Sequence, residues 1–309
     1  MGVWIDTDMG FDDIAAVLVV MQSGLKIDGV SLVFGNAPLK QACQNAAGAV
    51  AAFGWDFPIH SGRELPVLGQ LETAERILGE TGIPTLGRTL PDVGPLTIPR
   101  GMAFTALCDW LENGEGEKRI LALGPLTNIA ALCLARPDLA ERITDLTWMG
   151  GGVTAGNHTA SAEFNAFADP EALSIVISSR LPFHMVDLDL CRKVTASPED
   201  VDPVRNAGGR NAEMIADFLG GFIRIATSRG RSSMALYDPV AAVAFCYPEL
   251  VTWQKARIDV ELQGTFTRGR TVLEARPGRA VFNARYGAEV NAELTRDIIL
   301  RTLVVEGAR

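Results

Sequence analysis

Between Asp6 and Asp13 the chain places four aspartates, in the run Asp6-Thr7-Asp8-Met9-Gly10-Phe11-Asp12-Asp13, directly after an apolar segment. Carboxylates this close repel one another, and partial desolvation raises some of their pKa values. A cation or shared protons must offset the charge. Capping of a following helix accounts for Asp12 alone but not for four aspartates. A calcium loop of the D-x-D-x-D-G type matches at Asp6 and Asp8, yet it meets Gly10 at the third ligand position and Val17 at the twelfth, where Glu is required. A hard divalent cation held by several carboxylates at a strand end, activating a water, uses the run better. With Asp8 and Asp13 as ligands a further carboxylate must come from elsewhere, and Asp238, ahead of Pro239 at the start of an apolar helix, offers one.

The elements that must position these groups read as repeated β-α units. A strand over 2–6 precedes a helix over 12–23. A strand over 27–36, tipped by Asn36, precedes a helix over 39–53. Further strands are expected at 118–124, 145–152 and 183–189, with helices at 126–135 and 167–178. Such alternation implies one α/β domain over 1–309, with a mostly parallel open sheet flanked by helices in Rossmann-like fashion. Ligands in such sheets bind outside the carboxyl ends of the strands, so the polar tips at 6–13, Asn36, Thr127-Asn128, 149–152 and 187–189 are expected to face one crevice. Three stretches depart from the alternation. Residues 62–98, rich in Pro and Gly, read as a lid or surface excursion, 260–277 as an antiparallel edge hairpin, and 288–305 as a closing helix.

At 309 residues, 48% hydrophobic and with a net charge of −9, the chain has ample core and repels nucleic acid. No apolar run is long enough for a membrane span, and no basic leader precedes the first strand. Five scattered cysteines read as reduced thiols of a cytoplasmic protein, and three histidines without ligand spacing argue against zinc.

The motifs also resemble known families. Asp6-Thr7-Asp8 is similar to the D-x-D of haloacid-dehalogenase-like phosphatases, but Gly10 departs from their pattern and Asp12-Asp13 is surplus to it. DTDMGFDD resembles much more closely the D-T-D-x-G-x-D-D signature of the inosine–uridine nucleoside hydrolases. LALGPLTNIAAL (121–132), MGGG (149–152), NHTASAEFNAFADPEA (157–172), YDPVAA (237–242) and VELQGTFTRGRT (260–271) follow in that family's order. The resemblance implies calcium-dependent cleavage of the N-glycosidic bond of ribonucleosides to ribose and free base, by an enzyme that is a homodimer or homotetramer. It implies Asp8, Asp13, Asp238 and the Thr127 carbonyl as calcium ligands, with Asp8 also taking the proton of the attacking water. It places Asp12, Asn36, Met149, Asn157, Glu163 and Asn165 on the substrate, and Asp6 behind the ligands. Beside this reading, Glu163 next to Phe164 is a carboxylate in an apolar setting, which needs a partner. A calcium- and ribose-binding protein without catalysis is the alternative of a different class.

The pattern departs where the leaving base is protonated. The family's histidines are replaced by Tyr237, ahead of Asp238, and by Leu78, ahead of Gly79. Tyr237 is therefore expected as the acid or as a stacking partner of the base, with Trp148 and Phe167 as further stacking candidates. Purine against pyrimidine preference stays open at this point, as does an unusual leaving group. Arg229 and Arg231, with Ser232 and Ser233, are expected on a solvated loop.

Overall fold

The computed structural model describes residues 2–94 and 102–309. β1 (Gly2–Thr7) is followed by α1 (Phe11–Gln22), β2 (Lys26–Leu32) by α2 (Leu39–Phe53), and then β3 (Ile59–Ser61). After α3 (Glu75–Leu78) and α4 (Met102–Asn113) come β4 (Arg119–Ala122), α5 (Thr127–Ala135), α6 (Pro137–Ala140) and β5 (Asp145–Met149). α7 (Phe164–Ala168) and α8 (Pro170–Ser178) lead to β6 (Phe183–Val186) and α9 (Leu188–Cys191). The short β7 (Thr195–Ala196) and β8 (Met234–Ala235) bracket α10 (Val201–Arg205) and α11 (Ala212–Thr227). α12 (Tyr237–Cys246), β9 (Val251–Val260), β10 (Thr271–Glu274), β11 (Ala284–Val290) and α13 (Ala292–Gly307) complete the order.

Among the described residues one large sheet runs β10-β9-β11-β6-β5-β4-β1-β2-β3. From β3 across to β11 neighbouring strands are parallel, while β9 is antiparallel to both β11 and β10. Alternation along β1 sends Val3 and Ile5 into one core and Trp4 into the other. Helices α1, α2, α11, α12 and α13 supply the first core, and α4, α5 and α8 the second. With both faces covered, the inner strands are apolar throughout. The strand order reverses between β1 and β4, which makes their carboxyl ends the natural crevice.

Several expected elements shift, each for a local reason. The helix over 167–178 is two helices, because Asp169 precedes Pro170 and accepts the Ala172 N–H at 3.0 Å as an N-cap. The strand over 27–36 ends at Leu32, and its polar tip continues as loop. The strand over 183–189 stops at Val186, where Asp187 caps α9 through the Leu190 N–H at 2.9 Å. Residues 288–290 end β11 rather than start the closing helix, which begins only after Asn291 caps it. The edge hairpin exists, but its first arm is Val251–Val260 and residues 261–270 are its loop. Within 62–94 the only helix is α3, and backbone groups at Arg63 and Val67 are tied to Asn128 and Asp169 at 2.9 Å. Residues 95–98 of the expected excursion lie outside the described residues. No described helix is long and apolar enough to cross a membrane. Cys108, Cys133, Cys191 and Cys246 are free thiols.

Candidate active site

The turn after β1 is held in an uncommon conformation. Met9 has φ 56°, in the left-handed region that costs a non-glycine residue free energy. Two hydrogen bonds hold it: the Met9 N–H donates to Thr7 Oγ1 and Asn45 Nδ2 donates to the Met9 carbonyl, both at 3.0 Å. The turn swings Asp8 out at the strand end and starts α1 with Asp12 and Asp13 in its first turn. Asp13 is fastened by the Gly10 N–H at 2.8 Å, by Asn36 Nδ2 at 3.2 Å and by the Thr7 hydroxyl. Asp8 accepts the Asn36 N–H at 2.7 Å and Asn36 Nδ2 at 2.9 Å. That contact exists because Gly35 lets the backbone come close: a Cβ there would lie 1.9 Å from Asp8 Oδ2. Asp238 arrives from the first turn of α12.

Asp8, Asp12, Asn36 and Asp238 form the floor of a cavity of about 250 Å³ at the carboxyl ends of β1, β2, β4 and β5, and Asp13 is buried beneath it, outside the lining. Carboxylate oxygens of Asp12, Asp13 and Asp238 lie within 4.8 Å of one another. Asp8, Asp13 and Asp238 are buried and Asp12 is half-buried. No Lys or Arg ion pair to any of the four exists among the described residues. Burial, with the neighbouring aspartates adding to it, holds Asp8 and Asp238 well above the usual carboxylate range and raises Asp12 to about 7. A set of buried oxygen donors with no compensating side-chain cation fits a hard divalent ion. Asp6 stays behind the floor, fully buried, with Oδ1 accepting from Ser31 and, at 2.7 Å, from Asn128 Nδ2, and with Oδ2 lacking a hydrogen bond.

The far wall comes from the 157–165 segment. Glu163 caps α7 and accepts the N–H groups of Asn165 (2.7 Å), Gly151 (2.8 Å) and Ala166 (2.9 Å), so the partner that its setting demanded is backbone. Burial still raises it to about 7. Asn165 Nδ2 donates to the carbonyls of Leu123 (2.8 Å) and Met149 (3.0 Å), and Asn157 Oδ1 accepts the Phe164 N–H at 3.0 Å. Asp8, Asp12, Asn36, Met149, Asn157, Glu163, Asn165, Tyr237 and Asp238 thus meet in one cavity. A floor of carboxylates beside amide side chains can order vicinal hydroxyls and stabilise positive charge developing on a sugar ring.

Other expectations fail here. Thr127 does not line the cavity: it opens α5, and its hydroxyl donates to Asp169 at 2.6 Å. Leu123, at the end of β4, lines the cavity in its place. Trp148 is fully buried, donating to the Gly124 carbonyl at 3.0 Å, and Phe167 packs on His158 at 4.5 Å outside the lining. Asp187 and Asp189 are spent on capping α9 and on the N–H groups of Val153 and Thr154. Arg229 and Arg231 are exposed, as a solvated loop requires, but they also line the cavity. Phe222, Ile225 and Met234 are wall residues that nothing in the sequence marks, because their spacing is that of ordinary core positions. His158 also lines the cavity, and no neighbouring ligand residue in the sequence marks it.

Comparison with known proteins supplies the family. The family model for "inosine-uridine preferring nucleoside hydrolase" matches residues 3–297. A non-specific ribonucleoside hydrolase RihC of Salmonella newport is 31% identical over 293 residues, covering 94% of this chain and 90% of the relative. A pyrimidine-specific ribonucleoside hydrolase RihA of Shewanella woodyi is 32% identical over 275 residues, covering 87% of each chain. The solved purine-preferring ribonucleoside hydrolase of Gardnerella vaginalis shares the fold, with a TM-score of 0.90 at 23% identity and coverage of 100% and 99%. With the motifs in place around one acidic cavity, the chain belongs to the inosine-uridine preferring nucleoside hydrolase family and is an enzyme of ribonucleoside N-glycosidic bond hydrolysis.

Proposed function

We propose that this chain cleaves ribonucleosides to ribose and free base with a calcium ion held by Asp8, Asp13 and Asp238. The observation that carries the reading is the buried acidic floor, whose oxygens have no cationic side chain to offset them. The three buried aspartates are assigned to the ion and the half-buried Asp12, whose oxygen lies within 4.8 Å of those of Asp13 and Asp238, to the ligand beside it. When bound, the ion lowers the pKa of water and polarises the ribose hydroxyls. As the main-chain donor to the ion we assign the carbonyl of Leu123, which follows β4 and lines the cavity, rather than that of Thr127, which does not line it.

Asp8 takes the proton of the attacking water, oriented for this by Asn36, which donates to both of its oxygens. Asp12, Asn36, Asn157, Glu163 and Asn165 orient the ribose and favour the oxocarbenium-like state, positive at C1′ and O4′. We assign Tyr237 to the cavity wall as a partner of the base: burial pushes its phenol up to about 12, so it keeps its proton as a hydrogen-bond donor. Its ring meets Phe222 edge-on at 6.4 Å, which gives the base an aromatic corner.

A site built on ribose hydroxyls rejects a substrate that lacks one, since its buried partners are left unpaired. Ribose release from uridine and inosine should exceed that from their 2′-deoxy counterparts by about 10⁴-fold in kcat/KM. Comparable rates on both would remove the ribose-reading role of the floor.

A further inference from the structure

Asn45 lies on α2, buried and outside the lining of the active cavity. Both hydrogens of its amide nitrogen are spent on main-chain carbonyls, that of Met9 at 3.0 Å and that of Thr81 at 2.8 Å. Its Oδ1 accepts Gln41 Nε2 at 2.9 Å, one turn back along α2, so the amide is held from behind. The first carbonyl belongs to the left-handed residue of the turn that carries Asp8 into α1. Such strain persists only where its surroundings over-determine it. The second carbonyl belongs to the tight turn after α3, with φ 86° at Gly79 and 69° at Gly82. The Gly82 N–H closes that turn on the Gly79 carbonyl at 2.9 Å. Through Arg76, Ile77 and Leu78, α3 lines the cavity. The same turn rests against Asn36, since a Cβ on Gly82 would lie 3.2 Å from the Asn36 Cβ. One side chain of α2 thus joins the turn of the aspartates to a segment of the cavity wall.

Resting on the reaction proposed above, we infer that Asn45 is a positioning residue for it, a tie that keeps α3 and the Met9 turn at one spacing. Loss of the first bond lets Met9 leave the left-handed region, and Asp8 turns with it. Loss of the second frees the 79–82 turn from α2, and α3 moves with that turn. Displacement of Asp8 acts on the reacting geometry and shows in kcat. Displacement of α3 acts on the binding of substrate and shows in KM. A residue that only packed α2 against its neighbours would lower stability and leave both constants alone.

The test is kcat and KM for ribose release from uridine and inosine at saturating calcium, with a melting temperature for each protein. The proteins are the wild type, Asn45→Asp, Asn45→Ser, Gly82→Ala and the double variant of Asn45→Asp with Gly82→Ala. Asn45→Asp keeps the side-chain volume but turns a carboxylate on two carbonyls, and Asn45→Ser keeps a single donor. Asn45→Asp should lower kcat about tenfold and raise KM about threefold on both nucleosides, with Asn45→Ser between it and the wild type. Gly82→Ala crowds Asn36 from the other end of the tie. Its effect on KM should be smaller in the Asn45→Asp background, because the turn is already free there. Tryptic cleavage after Arg76 should quicken several-fold in Asn45→Asp, a readout that needs no turnover. A folded Asn45→Asp with the kcat and KM of the wild type, whatever its melting temperature, would overturn the inference, as would strict additivity with Gly82→Ala. If Asn45→Asp does not fold, Asn45→Ser decides on the same constants. A wild type silent on both nucleosides would instead overturn the proposed reaction.

Discussion

Asp8 and Asn36 illustrate how much of this site depends on single atoms. Asp8 is a buried carboxylate whose two oxygens are both engaged by one asparagine, and this fixes the direction from which it meets a water. Asp8→Asn keeps the shape but removes the base. Its kcat should fall by about 10²–10⁴-fold, with the fold retained, in a ribose-release assay checked against a thermal melt. Gly35→Ala probes the same contact without touching a carboxylate. The added Cβ would meet Asp8 Oδ2 at 1.9 Å, so either the loop or Asp8 must shift. A loss of about tenfold or more in kcat is expected, since small misplacements at a reacting centre cost that much. Unchanged turnover in Gly35→Ala would show that the orientation of Asp8 does not matter.

At the scale of elements, Asp169 carries more structure than its place in the sequence suggests. One buried carboxylate caps α8, accepts the Val67 N–H from the 62–94 segment and accepts the Thr127 hydroxyl from α5. Asp169→Ala leaves three donors without a partner and should cost about 2–4 kcal/mol of stability, read as a lower urea midpoint. No shift would mean that water replaces all three bonds. What the sequence made legible follows the same physics. Alternating apolar runs marked the parallel strands and the helices between them, because burial on both faces leaves a local signature. The broken helix at Asp169-Pro170 and the late start of α13 were missed, since capping competes with periodicity over only one or two residues. β11 was missed for a different reason: its residues pair with β9, about thirty positions away, and only Gly287 among them is fully buried. The floor of the site was legible because Asp8, Asp12 and Asp13 adjoin in the chain, whereas Asp238 joins them only through the packing of α12. The wall residues Phe222, Ile225 and Met234 were not, because only the packing of α11 and β8 against the crevice distinguishes them from core.

For the whole molecule, the acidic floor couples pH, cation and stability. Burial holds Asp6, Asp12 and Glu163 near 7 and Asp8 and Asp238 well above the ordinary range. A carboxyl raised in the folded state keeps its proton there longer than in the unfolded chain. The folded state therefore binds more protons as pH rises from the ordinary carboxylate range to about 7, and these groups withdraw stability across that window. A bound divalent cation takes the place of those protons. The rise in melting temperature on adding calcium should accordingly be small near pH 5 and increase toward pH 7 and above. A calcium effect independent of pH would argue that the ion binds away from the floor.

The most direct measurement follows calcium occupancy and ribose release together in one titration of metal-free protein, with Asp8→Asn and Asp238→Ala run beside the wild type. Turnover of the wild type should rise in proportion to occupancy by one ion per chain. Asp8→Asn should bind calcium, at reduced affinity, yet stay inactive at saturation, and Asp238→Ala should lose both affinity and turnover. Full activity in the metal-free protein, or normal turnover in Asp8→Asn, would contradict the account.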